Sequence, residues 1–220
     1  MHTDDALQPI VLLADSQLLF WRPAGRPFLS SILGRLPSSR PKAAYLGASN
    51  GDRPEFFELF CGAMASSGVE DCRQIPGRPS SADRSFFDSA ELILLAGGDP
   101  RQGWRVFQDN GLATRLVERF REGALLVGIS AGAMQLGLFG SSEDGETTFK
   151  TLGLVPYVVD AHDEPRWQRL RTLLGVVAKE EAAEGGDPPR GLGIPSGGGA
   201  FFHPRGGLEP IRYPLTEIGP

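Results

Sequence analysis

The sequence predicts an α/β fold: a doubly wound, mostly parallel sheet flanked by helices, with a small antiparallel edge near the C-terminus. Three observations carry this expectation. Short apolar runs bounded by Gly and Asp recur along the chain, as in strands covered on both faces. Longer amphipathic segments lie between them, the alternation that builds parallel βαβ units. Beyond residue 190 the pattern shifts to short strand-like runs between Gly and Pro turns, which suits antiparallel pairing.

The elements follow in order. Ile10–Ala14 is a continuous apolar run and reads as a first buried strand. Pro27–Leu36 carries Phe28, Leu29, Ile32, Leu33 and Leu36 at helical spacing. Lys42–Ala48 is a second strand, and Asp52 in the turn after it is the expected cap of a helix over Arg53–Ser66. Leu92–Ala96 and Ala124–Ile129 are further buried strands, with a helical pattern over Val106–Arg121 between them. Another helix is expected over Glu164–Lys179, and the polar stretch Glu180–Pro189 reads as a surface loop. Gly191–Ile194, Ala200–His203 and Leu208–Arg212 make up the expected antiparallel edge. No repeat or low-complexity tract interrupts the chain, and residues 1–220 read as one α/β domain of ordinary size.

Composition narrows the function. The 22 Lys+Arg against 27 Asp+Glu leave a net charge of -5, whereas nucleic-acid binders favour a basic excess. No apolar run approaches the ~20 residues of a membrane span. Residues Met1 to Gln8 are polar and unlike a signal peptide. The only cysteines, Cys61 and Cys72, do not make a disulfide framework or a cysteine-built zinc site. No metal and no cofactor is signalled. The expected setting is the cytoplasm, and the exposed C-terminal edge is compatible with a homodimer.

The most informative stretch is Ala124–Leu136, ALLVGISAGAMQL. A buried strand runs into Gly128-Ile129-Ser130-Ala131-Gly132, and a helical pattern follows. This is the G-x-S-x-G nucleophile elbow, whose sharp turn needs small residues on both sides of the serine. The turn lifts the Ser130 hydroxyl above the sheet edge and leaves the Ala131 N–H free to hold a developing oxyanion. The bland alternative is a Gly/Ala-rich turn kept for packing. Gly97-Gly98-Asp99 ends another buried strand at the edge where α/β sheets bind ligands, and Gly98 is the candidate second donor. Its bland alternative is an ordinary turn with Asp99 as helix cap.

A serine needs a base at neutral pH. Of the three histidines, His2 lies in the N-terminal tail and His203 in a late strand. His162 follows an apolar run and precedes a helix, which makes it the best-placed base. Glu143, Asp144, Glu146, Asp160 and Asp163 are all candidates for the acid that orients it. Arg166, Arg169 and Arg171 form a basic cluster just downstream, suited to a solvated helix face or to a substrate carboxylate.

Taken together these residues resemble the peptidase E (aspartyl dipeptidase) and cyanophycinase family of serine peptidases, which has a class I glutamine amidotransferase-like fold. The elbow is similar to the family's G-x-S-A-G-A. Leu95-Ala96-Gly97-Gly98-Asp99 is similar to its oxyanion strand, and Leu152-Gly153-Leu154-Val155-Pro156 with Asp160-Ala161-His162 is similar to its L-G-L-x-P…D-x-H segment. The resemblance implies Ser130 as nucleophile, His162 as base, and Gly98 and Ala131 as oxyanion donors. It places the orienting acid in the loop between elbow and histidine, where Glu146 is the candidate and Asp144 the neighbour. It adds Asp99, Gln102, Asp160, Arg166 and Arg171 as substrate-binding candidates, with Arg169 offset by one from the pattern. One departure stands out: the family's G-I-D-E stretch reads Gly193-Ile194-Pro195-Ser196 here.

The resulting expectation is a serine exopeptidase acting on short aspartate-containing peptides of the Asp-Xaa type, through an acyl-enzyme on Ser130. A cyanophycinase-type hydrolase of β-aspartyl-arginine bonds is the first alternative. A non-catalytic small-ligand-binding relative on the same fold is the second. An amidotransferase is disfavoured because the elbow holds serine, and neither Cys61 nor Cys72 lies near one.

Overall fold

A computed structural model describes residues 7–142 and 147–219. Four buried strands appear where expected: β1 (Ile10–Leu13), β2 (Lys42–Leu46), β4 (Leu92–Leu95) and β5 (Leu125–Ile129), joined by β3 (Asp71–Ile75). The C-terminal chain adds β10 (Gly199–His203) and β11 (Gly207–Ile211). These form a seven-stranded sheet in the order β11-β10-β1-β5-β4-β2-β3. The strands from β1 to β3 pair in parallel, while β10 and β11 are antiparallel. Pro210 lies in β11, the outermost strand on that side.

Alternating side chains bury both faces of this sheet. Ile10, Leu12, Ile93, Leu95 and Leu126 point into one core. That core is completed by α3 (Ser81–Ser89), α4 (Pro100–Asp109), α5 (Leu112–Arg121) and α6 (Ala131–Leu136). Val11, Leu13, Leu92, Leu94, Val127 and Ile129 point into the other. There they meet α1 (Phe28–Leu33), α2 (Pro54–Ala65) and the 3-10 turn Ser16–Phe20. A three-stranded sheet holds β8 (Val158–Ala161), β9 (Gly191–Ile194) and β12 (Thr216–Ile218), and α7 (Gln168–Ala183) packs against it. β6 (Phe139–Ser141) and β7 (Thr148–Lys150) make a small antiparallel ladder. No helix among the described residues is long and apolar enough to cross a membrane.

Several elements differ from the sequence reading. The helix expected over Val106–Arg121 is two helices, broken at Gly111, whose φ of 77° turns the chain between α4 and α5. Asp52 does not cap α2. Its carboxylate instead accepts the Gly77 N–H at 2.8 Å, and Arg53 occupies the cap position. The stretch after Lys179 is not loop from its start, because α7 continues through Glu180, Glu181, Ala182 and Ala183. Good helix formers supply the propensity, and Lys150 ties Glu181 and Glu184 at 3.2 Å each. Gly191–Ile194 lies in the small sheet, parallel to β8 and antiparallel to β12, instead of beside β10 and β11. Its glycines let α7 close on it: a Cβ at Gly193 would sit 2.6 Å from the Trp167 ring.

Candidate active site

The site begins with backbone geometry at the end of β5. Ser130 has φ 49° and ψ −109°, a sparsely populated conformation that costs about 1–3 kcal/mol. Surrounding contacts hold it there. Its N–H donates to Leu13 O at 2.9 Å, and its carbonyl accepts the Met134 N–H at 3.0 Å. Both glycines of the G-x-S-x-G sequence sit where no side chain fits. A Cβ on Gly128 would lie 2.6 Å from the Gly132 carbonyl, and one on Gly132 would lie 2.1 Å from Leu95 O. β5 and α6 thus cross at van der Waals contact, and the serine has to turn outward.

The hydroxyl so presented meets an imidazole. Ser130 Oγ lies 2.9 Å from His162 Nε2. His162 follows β8 directly, with a left-handed φ of 45°, and its N–H donates to Ile194 O at 3.0 Å. The small sheet therefore carries the histidine to the serine, with β9 fixing its height.

The Gly97-Gly98 turn forms the next wall. Gly98 has a φ of 134°, and a Cβ there would lie 2.1 Å from Ser49 O. The Asp99 N–H donates to that same carbonyl at 2.8 Å. Gln135, fully buried on α6, donates to Ser49 Oγ at 3.1 Å and Pro100 O at 2.9 Å. The turn is thus pinned from two sides. Among the described residues, neither the Gly98 nor the Ala131 N–H has a hydrogen-bond acceptor. Ser130, His162, Gly98, Asp99, Met134 and Arg169 line a cavity of about 410 Å³, together with Pro100, Ser141 and Ser142.

Comparisons with known proteins place this arrangement. The family model for peptidase family S51 matches residues 12–183. The chain belongs to peptidase family S51. The family is, by its name, one of peptidases. It is 30% identical to peptidase E of Salmonella arizonae over 115 residues, covering 46% of this chain and 50% of that protein. It is 27% identical to the uncharacterized peptidase YgaJ of Bacillus subtilis over 104 residues, covering 47% of this chain and 45% of the other. The matches thus span about half the length of these curated relatives. Among solved structures, a peptidase from an acI-B1 Actinobacterium superposes with a TM-score of 0.66 at 15% identity, covering 96% of this chain and 94% of that one. A putative peptidase E protein from Listeria monocytogenes superposes with a TM-score of 0.65 at 15% identity, covering 95% and 100%. These structural likenesses speak for the fold.

Within this S51 peptidase, the arginine on the cavity wall is Arg169, while Arg166 and Arg171 lie outside it. The physical reason is where α7 starts. Arg166 precedes the helix, and its carbonyl accepts the Arg171 Nε at 3.1 Å. Arg169 sits in the first turn and reaches back to Asp160, with Nη2 at 2.6 Å and Nε at 3.1 Å from its carboxylate. Asp160 is buried beneath it, and burial pushes its carboxyl above the usual range against the pull of Arg169. Asp160 therefore touches Arg169 instead of lining the cavity. Asp99 caps α4 by accepting the Arg101 and Gln102 N–H groups at 2.8 and 3.1 Å. Gln102 turns away and donates to Ala48 O at 2.9 Å.

Glu143, Asp144 and Glu146 lie outside the described residues. Asp163 accepts the Arg169 N–H at 2.9 Å and so caps α7. Among the described residues, no carboxylate hydrogen-bonds the His162 ring. Glu164, which sequence reasoning missed, accepts the Ser196 N–H at 3.1 Å. Hydrogen bonding to Ser196, through its side chain first and its N–H second, holds the Glu164 carboxyl below the usual range. A carboxylate from another segment thus reaches the Gly193–Ser196 stretch, where the family's acidic pair is absent from the sequence. Its signal lay in its position, two residues after His162. Among the described residues, no group of three or more His, Cys, Asp or Glu is placed to hold a metal ion.

Proposed function

We propose that the protein is an exopeptidase for short aspartate-containing peptides, with Ser130 as nucleophile and His162 as general base. His162 Nε2 takes the Ser130 proton as Oγ attacks the scissile carbonyl. The N–H groups of Gly98 and Ala131 hold the tetrahedral oxyanion, a donor set in which each member supplies about 2.7–4 kcal/mol. His162 then delivers its proton to the leaving amine. Water, deprotonated by the same imidazole, hydrolyses the acyl-enzyme. Arg169, its Nε and Nη2 held by Asp160, presents its positive charge on the cavity wall to a substrate carboxylate. Glu146 remains the proposed acid behind His162.

The observation that carries this reading is the 2.9 Å contact between Ser130 Oγ and His162 Nε2 at a strained strand–helix turn. The likeness to peptidase E of Salmonella arizonae supports the aspartyl preference, and the one arginine on the cavity wall agrees with it. Two cysteines with no disulfide between them fit a cytoplasmic setting. The test pairs the wild type with Ser130→Ala on Asp-Xaa dipeptides in α and β linkage, alongside fluorophosphonate labelling with mass mapping. Hydrolysis and labelling at Ser130, both lost in the variant, are the expected outcome. Undiminished hydrolysis by Ser130→Ala defeats the nucleophile assignment.

A further inference from the structure

Gly98 lines two cavities, not one. The second, of about 210 Å³, opens on the opposite face of the sheet, between α2, the Ser16–Phe20 turn and the ends of β2, β4 and β5. Leu19, Tyr45, Phe56, Leu59, Phe60 and Ile129 are the side chains that matter in its wall. Two of its polar side chains engage each other: Asn50 donates to the Tyr45 hydroxyl at 2.9 Å. Among the described residues, no charged side chain lines it. Yet Phe56 and Leu59 stand 39% and 49% exposed at the mouth, an unusual placement for two large apolar groups beside a reaction centre.

We propose that this cavity is a specificity subsite for an apolar side chain on the residue that leaves as the free amine. The inference rests on the aspartyl reading above. An extended peptide projects successive side chains to opposite sides. With the scissile carbonyl at Gly98 and the aspartate turned toward Arg169, the next side chain points across the turn into the apolar cavity. The space suffices, since a cavity of about 150 Å³ lined by apolar side chains accepts a benzene ring. The preferred substrates are therefore aspartyl peptides whose second residue is leucine-like or aromatic, and charged second residues are poor.

The test compares kcat/KM on Asp-Ala, Asp-Leu, Asp-Phe and Asp-Lys for the wild type and for Leu59→Asp, a position 49% exposed, with circular dichroism to confirm the variant's fold. Burying the larger side chain raises the wild-type value for Asp-Leu and Asp-Phe over Asp-Ala by about tenfold or more. In Leu59→Asp that ratio collapses toward one. A wild-type ratio near one, or an equal loss on every peptide in the variant, overturns the subsite. If no aspartyl peptide is cleaved, the aspartyl reading has failed, and the cavity is judged by labelling of Ser130. A phenyl-bearing fluorophosphonate must then outpace a methyl-bearing one in the wild type and lose that lead in Leu59→Asp. Equal rates in the wild type overturn the subsite on that arm.

Discussion

Gly98→Ala tests the proposed oxyanion site most directly. The added Cβ would stand 2.1 Å from Ser49 O, whereas ordinary contact begins at 3.4 Å, so the turn must give way by about 1.3 Å. The backbone resists as well, because a φ of 134° is one that side-chain-bearing residues rarely adopt. An oxyanion donor works only within about 2.7–3.1 Å of the charge it holds, so this shift removes it, and kcat falls about 10²–10³-fold. KM changes far less, because the ground-state carbonyl needs that donor less than the oxyanion does. The same shift stretches the Asp99 N–H bond to Ser49 O, and the melting temperature falls too. Gly97→Ala is the control: its Cβ would meet Ile129 O and Ser130 Cβ at 3.4 Å, within ordinary contact. That variant stays within about threefold of wild-type kcat, the size of a ~0.65 kcal/mol effect. Steady-state kinetics on an aspartyl dipeptide, with circular dichroism to confirm folding, decides the matter. A folded Gly98→Ala enzyme within threefold of wild-type kcat refutes the assignment of that N–H.

Other outcomes follow from neighbouring features. Ser130→Gly abolishes turnover yet raises stability by about 1 kcal/mol, because glycine adopts positive φ without cost; a lowered urea midpoint contradicts the strain. Arg169→Met uncovers the buried Asp160, whose carboxyl already sits above its usual range. A carboxyl raised in the folded state contributes less stability as pH climbs through its value. The variant's deficit is therefore small near pH 4 and grows to about 2–4 kcal/mol by pH 8, as urea titrations across pH should show. Adding Asp160→Asn removes most of that pH dependence. Burial pushes the Cys72 thiol up to about 12 and raises Cys61 as well. Native protein at pH 8 should react slowly with a thiol reagent and quickly in urea; a fast native reaction counts against that burial.

The parts of the fold legible in the sequence are those whose burial is continuous. β1, β2, β4 and β5 are covered on both faces, so their apolar runs announce them. β3, Asp71-Cys72-Arg73-Gln74-Ile75, lies at the sheet margin and is half exposed, so no such run marks it. α3 is polar along most of its length. Its readable sign was local, the Ser80–Asp83 capping box. The split between α4 and α5 was signalled by Asn110-Gly111, a turn pair that helical periodicity alone passes over. At the candidate site, the meeting of Ser130 with His162 was legible because each stands at a strand end. The arginine was not, because spacing along a chain cannot say where α7 begins. The start of α7 decides that Arg169, three residues beyond Arg166, faces Asp160.

The border strand β11 has a consequence for self-association. A sheet that ends in an unpaired strand offers its free N–H and C=O groups to any extended chain nearby, including another copy of itself. Here the outermost strand contains Pro210, opposite Ala200 in the ladder, and proline has no N–H to offer a newcomer. Glu209 beside it adds a charge, bonded to His203 at 2.9 Å. Docking of a second chain along this margin would lose a hydrogen bond at its centre and bury a carboxylate. Sheet-to-sheet growth is thus opposed at the rim farthest from β3.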